Sequence, residues 1–243
     1  MERVLILGAK SDIARALAHR FAREGFGIIM ASRRAAELEN DVKDLQIRYG
    51  ARAETAEFDA LEYDTHADFY DRLAPKPAVV VCAVGYLGDQ KLAEKDIGEA
   101  RRIMETNFTG CASVLNAVAR DFEMRRKGCI IGISSVAGER GRQSNYFYGS
   151  SKAALTAYLS GLRNRLQKSD VHVITVKPGF VATRMTEGMD LPPLLTSRPE
   201  EVAEDVFRAY KAGKDELYTK WFWKWIMAVI RLIPEKIFKR LSL

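Results

Sequence analysis

The sequence predicts a doubly wound α/β fold over residues 1–218, a seven-stranded parallel sheet with helices on both faces, and an amphipathic tail over 219–243. Two observations carry that expectation. Seven short apolar runs alternate with stretches of helical period. Most of the runs are continuously apolar rather than alternating, as strands covered on both faces are in parallel sheets. A chain of 243 residues, 47% apolar and 29% charged, has material enough for one such core.

The first run, RVLILG, ends in a glycine turn, and SDIARALAHRFAREG after it reads as a helix over about 12–25. GIIMAS and AETAEF supply the second and third strands, separated by helical spacing at 35–49. A helical stretch at 65–73 leads to AVVVCAV, and a long one at 96–123 leads to CIIGIS. VHVITV follows the helical pattern at 146–168, and ELYT follows the last, at 199–212.

MERVLILGAK enters a strand too early to hold a secretory signal, so a cytoplasmic protein is expected. Cys82, Cys111 and Cys129 are odd in number and widely spaced, which points to reduced thiols rather than to disulfides or metal ligands. Net charge is +6, but six basic side chains against Glu235 alone give residues 220–243 a net +5 of it. With the rest nearly neutral, the charge argues for a property of the tail and against nucleic acid as a partner.

In an open α/β sheet ligands bind at the carboxyl ends of the strands. Those ends read GAKSDIA, SRR, FDA, VGYLGD, SSVAGERGRQSNYFYGSSK and KPGFVATRM. The fifth is the most telling. Tyr148 and Lys152 form Y-x-x-x-K at a helix start, which puts both on one helical face. An ammonium beside a phenol favours the phenolate. Ser135 lies 13 residues before Tyr148 at the end of strand five, and Asn107 lies within the preceding long helix. Each alone reads more simply as a surface pair, a turn residue or a polar satisfier; together, after these strands, they read as a site.

From LGAKSDIA to KPGFVATRM the chain resembles the short-chain dehydrogenase/reductase family, whose fold is of the Rossmann type. The resemblance implies Asn107, Ser135, Tyr148 and Lys152 as a catalytic tetrad reducing a carbonyl substrate with a nicotinamide cofactor. Tyrosine donates the proton, lysine supports it and holds the nicotinamide ribose, serine polarises the carbonyl and asparagine supports a water relay. It also implies a homodimer or homotetramer.

The nucleotide loop departs from the family's T-G-x-x-x-G-x-G. Gly8 is kept, but Leu7, Asp12 and Ala14 replace a threonine and two glycines. Among Gly8, Lys10, Ser11, Asp12 and Ile13, Asp12 is the difficulty, because a carboxylate repels a pyrophosphate unless it turns away. Ser11 and Asp12 are both good N-caps, and one of them capping the helix is the simpler reading. Ala83 and Gly85 stand in CAVG where the family has N-N-A-G, and Asp59 matches an aspartate that meets adenine, or else caps its strand. At the end of strand two, Arg33 and Arg34, with no acid before Glu37, favour NADP(H) over NAD(H). Pro178, Gly179, Val181 and Thr183 match the turn that holds the nicotinamide carboxamide, with Thr183 read otherwise as a helix cap. Arg184–Arg198 occupies the place of the substrate lid, and its apolar content suggests a greasy or bulky substrate. His19, His66 and His172 receive no role.

Between Trp221 and Ile233, eleven of thirteen residues are apolar, too few to span a bilayer. Lys220, Lys224 and Arg231 share one side of a helix with tryptophans at its start, and Pro234 ends it. Such a helix suits the membrane interface, which predicts peripheral association with the inner face of the cell membrane. The simpler alternative is packing on its own subunit or on a symmetry mate. SSVAGERGRQSN, YGSSKAAL, GYLGDQ and the glycine-poor loop resemble the family branch containing decaprenylphosphoryl ketoribose 2-reductase, which implies a lipid-linked keto-sugar as a substrate. A soluble NADP(H)-dependent reductase of a small or apolar ketone, with the tail as an oligomer contact, and a non-catalytic nucleotide sensor or scaffold are the rival expectations.

Overall fold

The computed structural model describes residues 1–241. Its sheet strands are β1 (Arg3–Leu7), β2 (Gly27–Ser32), β3 (Ala53–Glu57), β4 (Val79–Cys82), β5 (Gly128–Ile133), β6 (Val171–Pro178) and, after a small pair β7 (Phe180–Val181) and β8 (Thr196–Ser197), β9 (Glu216–Thr219). The seven long strands run parallel in the order β3-β2-β1-β4-β5-β6-β9. Order reverses between β1 and β4, which opens a crevice above their carboxyl ends.

The helices are α1 (Asp12–Arg23), α2 (Glu39–Tyr49), α3 (His66–Asp71), α4 (Gln90–Ala93), α5 (Ile97–Met104), α6 (Gly110–Arg125), α7 (Tyr146–Leu166), α8 (Pro199–Lys211), α9 (Trp223–Leu232) and α10 (Glu235–Phe238). Alternate residues of the central strands face opposite layers. Val4, Ile6, Ile28 and Met30 pack with Leu17, Phe21 and Val206 of α1 and α8. Leu5, Leu7 and Val80 pack with Val114, Phe122 and Leu159 of α6 and α7. That is why these strands are apolar throughout, whereas the edge strand β3 is only half-buried.

One expectation is refined and one pair of strands is new. The single helix at 96–123 is α5 and α6 joined by a π-helical stretch at Glu105–Thr109, and α6 runs on to Arg125. The β7–β8 pair, two residues a side, ties the start of the lid segment to its end. Its runs are too short to show a period in sequence.

The tail is part of the body on one side. Trp223 and Met227 of α9 are buried against Val136, with Phe180, Leu195 and Tyr218 packed around them. Gly179 makes this possible: a Cβ there would stand 1.9 Å from the Trp223 indole nitrogen, which instead donates to the Leu195 carbonyl at 3.2 Å. Arg140 donates to the carbonyls of Arg231 and Ile233 at 2.9 and 3.0 Å, closing the end of α9, and pairs with Glu235 at 2.8 Å. Cys82, Cys111 and Cys129 are buried free thiols.

Candidate active site

A cavity of about 760 Å³ opens above the carboxyl ends of β1, β2, β4 and β5 and runs beneath the segment after β6. Sixteen of the seventeen residues singled out from the sequence line it, and only Asn107 does not.

The end that carries the candidate catalytic residues is assembled from α7, the end of β5 and the π-helical stretch. Ser135 accepts from the Ala137 amide at 3.1 Å and so caps the turn over Val136–Gly138 while its hydroxyl borders the cavity. Tyr148 is half-buried in the first turn of α7 and lines the same wall. Lys152, one turn on, is 2% exposed and donates to the carbonyls of Ile133 at 3.0 Å and Val84 at 3.4 Å. Its ammonium lies 5.7 Å from the centre of the Tyr148 ring. Ser134 fixes this part of α7, binding the Lys152 carbonyl at 2.9 Å and the Thr156 hydroxyl at 2.7 Å.

Asn107 stands behind the wall, fully buried. Its Oδ1 accepts from the Tyr86 amide at 2.9 Å, and its Nδ2 donates to the carbonyls of Tyr86 and Ile103 at 2.7 and 2.9 Å. The π-helical widening that carries it is a device often found at functional sites. Asn107 therefore sets the β4–α4 connection, in which Gly85 lies within reach of both Asn107 and Lys152. Tyr86 is held at its other end by Glu99, whose carboxylate accepts its hydroxyl at 2.8 Å; burial first, then that bond, pushes the Tyr86 phenol up.

At the nucleotide end, Gly8 adopts φ +76°, and any Cβ there would stand 2.8 Å from the Val84 amide. Only glycine lets β1 turn so close beneath Ala83 and Val84. Ser11 is the N-cap of α1, accepting from the Ala14 amide at 3.2 Å. Asp12 turns away from the helix mouth: it accepts from the Arg184 amide at 2.8 Å and from its Nε at 3.0 Å. A second Arg184 nitrogen binds the Lys10 carbonyl. The carboxylate that a pyrophosphate would oppose is thus neutralised by a lid residue 172 positions away in sequence.

At the end of β2, Lys10 and Arg34 both pair with Glu37 and hold its carboxyl below the usual range, Lys10 most strongly. No carboxylate lies within 4 Å of Arg33 among the described residues. Beside it the Ser32 hydroxyl lines the cavity, 7% exposed and without a hydrogen-bond partner. An orphaned buried hydroxyl next to an unpaired guanidinium suits a phosphorylated ribose. Asp59 accepts from the Leu61 amide at 3.0 Å and so caps its own turn. His66, given no role from the sequence, braces that turn: its ring binds the Asp59 carbonyl at 2.8 Å and Ser113 at 2.9 Å.

Pro178, Gly179, Val181 and Thr183 line the cavity's far side, and Thr183 also caps the short turn over Arg184–Thr186. Lys177, just before them, pairs with Glu139 at 3.0 Å, both side chains 7% exposed, tying the loop after Ser135 to the end of β6. Ser32, Tyr86, Arg184 and Met185 also line the cavity; they lie in the strand-end stretches picked out from the sequence but were given no role of their own there. Arg102, on α5, lies in none of those stretches.

A switch-point cleft with a phosphate-accepting helix mouth and a Ser–Tyr–Lys constellation defines a nucleotide-dependent oxidoreductase of the Rossmann class. The chain belongs to the short-chain dehydrogenase family, whose model matches residues 2–192. An uncharacterized oxidoreductase of Mycobacterium tuberculosis is 35% identical over 241 residues, covering 98% of this chain and 96% of its own. A Sphingobium yanoikuyae short-chain dehydrogenase in complex with NADPH superposes with a TM-score of 0.83 at 20% identity, over 97% of each chain. A Brucella melitensis 3-oxoacyl-[acyl-carrier protein] reductase with bound NAD gives 0.79 at 24% identity, over 89% of this chain and 88% of that one. These two likenesses show the fold alone.

Proposed function

We propose that this oxidoreductase uses NADPH to reduce a ketone to an alcohol. Bound in the cleft, the cofactor supplies the hydride. The Tyr148 hydroxyl gives its proton to the carbonyl oxygen, and the Ser135 hydroxyl, from the neighbouring turn, donates a hydrogen bond to that oxygen as charge grows on it. Lys152 fixes the tyrosine's surroundings and offers its remaining hydrogen-bonding capacity to the nicotinamide ribose. Asn107 keeps the wall behind them in place. Ser32 and Arg33 hold the 2′-phosphate; NADPH bound in the Sphingobium relative agrees with this, while NAD in the Brucella enzyme makes the preference a property to be read from these two residues.

The observation that carries the reading is that Ser135, Tyr148 and Lys152 line one cavity with Arg33 and the orphaned Ser32 hydroxyl. The test is NADPH oxidation with a ketone panel. Tyr148→Phe is expected to lower turnover by about a hundredfold to ten-thousandfold while still binding NADPH. Equal turnover by the variant sinks general acid catalysis, and no turnover on any ketone by the parent favours the sensor reading.

The preferred substrate is lipid-linked, with a polyprenyl-borne keto-sugar as the first choice, met by a homo-oligomer at the cytoplasmic face of the membrane. Among the described residues no helix is long and apolar enough to cross a membrane. The outward side of α9, with Trp221 just before it, supports surface contact instead: Trp221, Trp225, Val229 and Leu232 are 62–82% exposed, amid Lys220, Lys224 and Arg231. Lid residues Met189 and Leu194 add exposed apolar surface, and Lys220 donates to the Leu194 carbonyl at 3.1 Å, so lid and tail adjoin. Removing the tail would strip the body of Trp223, so outward substitutions are the cleaner probe. Trp225→Ser with Leu232→Ser should abolish flotation on anionic liposomes and leave NADPH binding intact; flotation unchanged rejects the membrane reading.

A further inference from the structure

We propose that Arg102 forms an anion subsite in the substrate half of the cleft, taking a phosphate ester carried some atoms away from the carbonyl. This rests on the reductase reading above. Three cations line the cavity with no carboxylate within 4 Å among the described residues: Arg33, Lys152 and Arg102. Arg33 stands at the nucleotide end and Lys152 is spent on backbone carbonyls. Arg102 remains without a task.

Its position is built rather than accidental. The guanidinium lies 4.4 Å above the centre of the Tyr86 ring. That ring is fixed at both ends, by Asn107 through the Tyr86 backbone and by Glu99 through its hydroxyl. Glu99 is itself 8% exposed and spends the same oxygen on the Asp89 amide at 3.0 Å, so it holds the shelf without pairing with Arg102. The neighbouring Arg101 points elsewhere, to Glu105 at 3.2 Å.

The subsite belongs to the substrate and not to the cofactor because of where α5 packs. Ala100 and Ile103, flanking Arg102, cluster with Tyr86, Phe147 and Tyr148. The places that suit cofactor phosphates, the mouth of α1 and the Ser32–Arg33 corner, are on the β1–β2 side. A guanidinium stacked on an aromatic ring keeps its outer N–H groups free for two parallel bonds to a phosphate.

The test is calorimetric titration of the NADPH-saturated full chain with octyl phosphate, octanol and inorganic phosphate. Octyl phosphate is expected to bind tighter than octanol, and Arg102→Gln to weaken it by about tenfold to a hundredfold, with Arg102→Lys recovering part. The variant's affinity for NADPH should not change. Inorganic phosphate binding as tightly as octyl phosphate would mark a free-phosphate substrate; much weaker binding would mark a lipid phosphate. Octyl phosphate bound equally by parent and Arg102→Gln overturns the subsite, as does a loss confined to NADPH. Binding here needs no turnover, so failure of the ketone reading in the Tyr148→Phe assay is a separate result.

Discussion

The two ends of the cleft are held by different kinds of bond. At the catalytic end Asn107 and Lys152 are 0% and 2% exposed, and both spend their polar atoms on backbone groups of adjoining segments. At the nucleotide end the contacts are ion pairs of half-exposed side chains, Glu37 with Lys10 and Arg34, and Asp12 with Arg184. A buried bond left unmade costs more than an exposed ion pair contributes. On the proposed function, the end carrying Ser135, Tyr148 and Lys152 is therefore set before any ligand arrives, whereas the end around Gly8 and Arg33 would exchange partners at little cost when a phosphate enters.

The largest effect should come from breaking the rigid end. Asn107→Ala leaves the Tyr86 amide and the Tyr86 and Ile103 carbonyls without their partner, at roughly 1–3 kcal/mol for each group that stays buried and unpaired. A fall in the denaturant midpoint and a loss of turnover are expected together. A variant as stable as the parent would show that the contrast between the two ends is not real.

Next in size is Arg33→Ala, which removes the unpaired cation beside Ser32. NADPH affinity should fall by about tenfold to a hundredfold and NADH affinity should hardly move, read by titrating each cofactor. Equal losses for both would assign Arg33 to the common adenosine part instead.

Legibility in the sequence divides along the same line. The strands, the Tyr148–Lys152 pair and Ser135 were readable because each depends on local period or spacing: a continuous apolar run, a four-residue offset on a helix, a residue at a strand end. Asn107 could be picked out as a candidate from the sequence, but its place behind the cavity wall could not, since the π-helical widening that carries it leaves no mark in the apolar pattern. Asp12 posed a conflict that local reading met only halfway. Ser11 does cap α1, but the neutralising Arg184 comes from the lid, and contact across 172 positions has no period to betray it. Likewise the tail's amphipathic pattern was plain, yet which side meets the body was decided by the bare backbone at Gly179.

Asp12→Asn tests the loose end more gently. It leaves an amide that still accepts from the Arg184 backbone but no longer pairs with its guanidinium. Loss of that pair leaves the Arg184 guanidinium available to a phosphate, and because an exposed pair of this kind contributes about 0.2–1 kcal/mol, cofactor affinity should rise by no more than about fivefold. Weaker binding would instead make the Asp12–Arg184 pair a clasp that the cofactor needs closed.

Glu37 should show the smallest effect and the clearest sign. Lys10 and Arg34 hold its carboxyl below the usual range. A lowered acid adds its stabilisation fully above the unfolded value and loses it only as pH falls through the lowered one. Glu37 is thus ionised throughout neutral conditions and competes with a 2′-phosphate for both cations. Glu37→Gln removes the competitor and should tighten NADPH a few-fold without altering NADH. The parent-to-variant ratio of NADPH dissociation constants should stay flat between about pH 7.5 and 8.5, above the second ionisation of the 2′-phosphate at about pH 6 and where no carboxylate ordinarily titrates. A ratio that bends in that window would place another titrating group at the corner, and weaker NADPH binding by the variant would make Glu37 a support that orients Lys10 and Arg34.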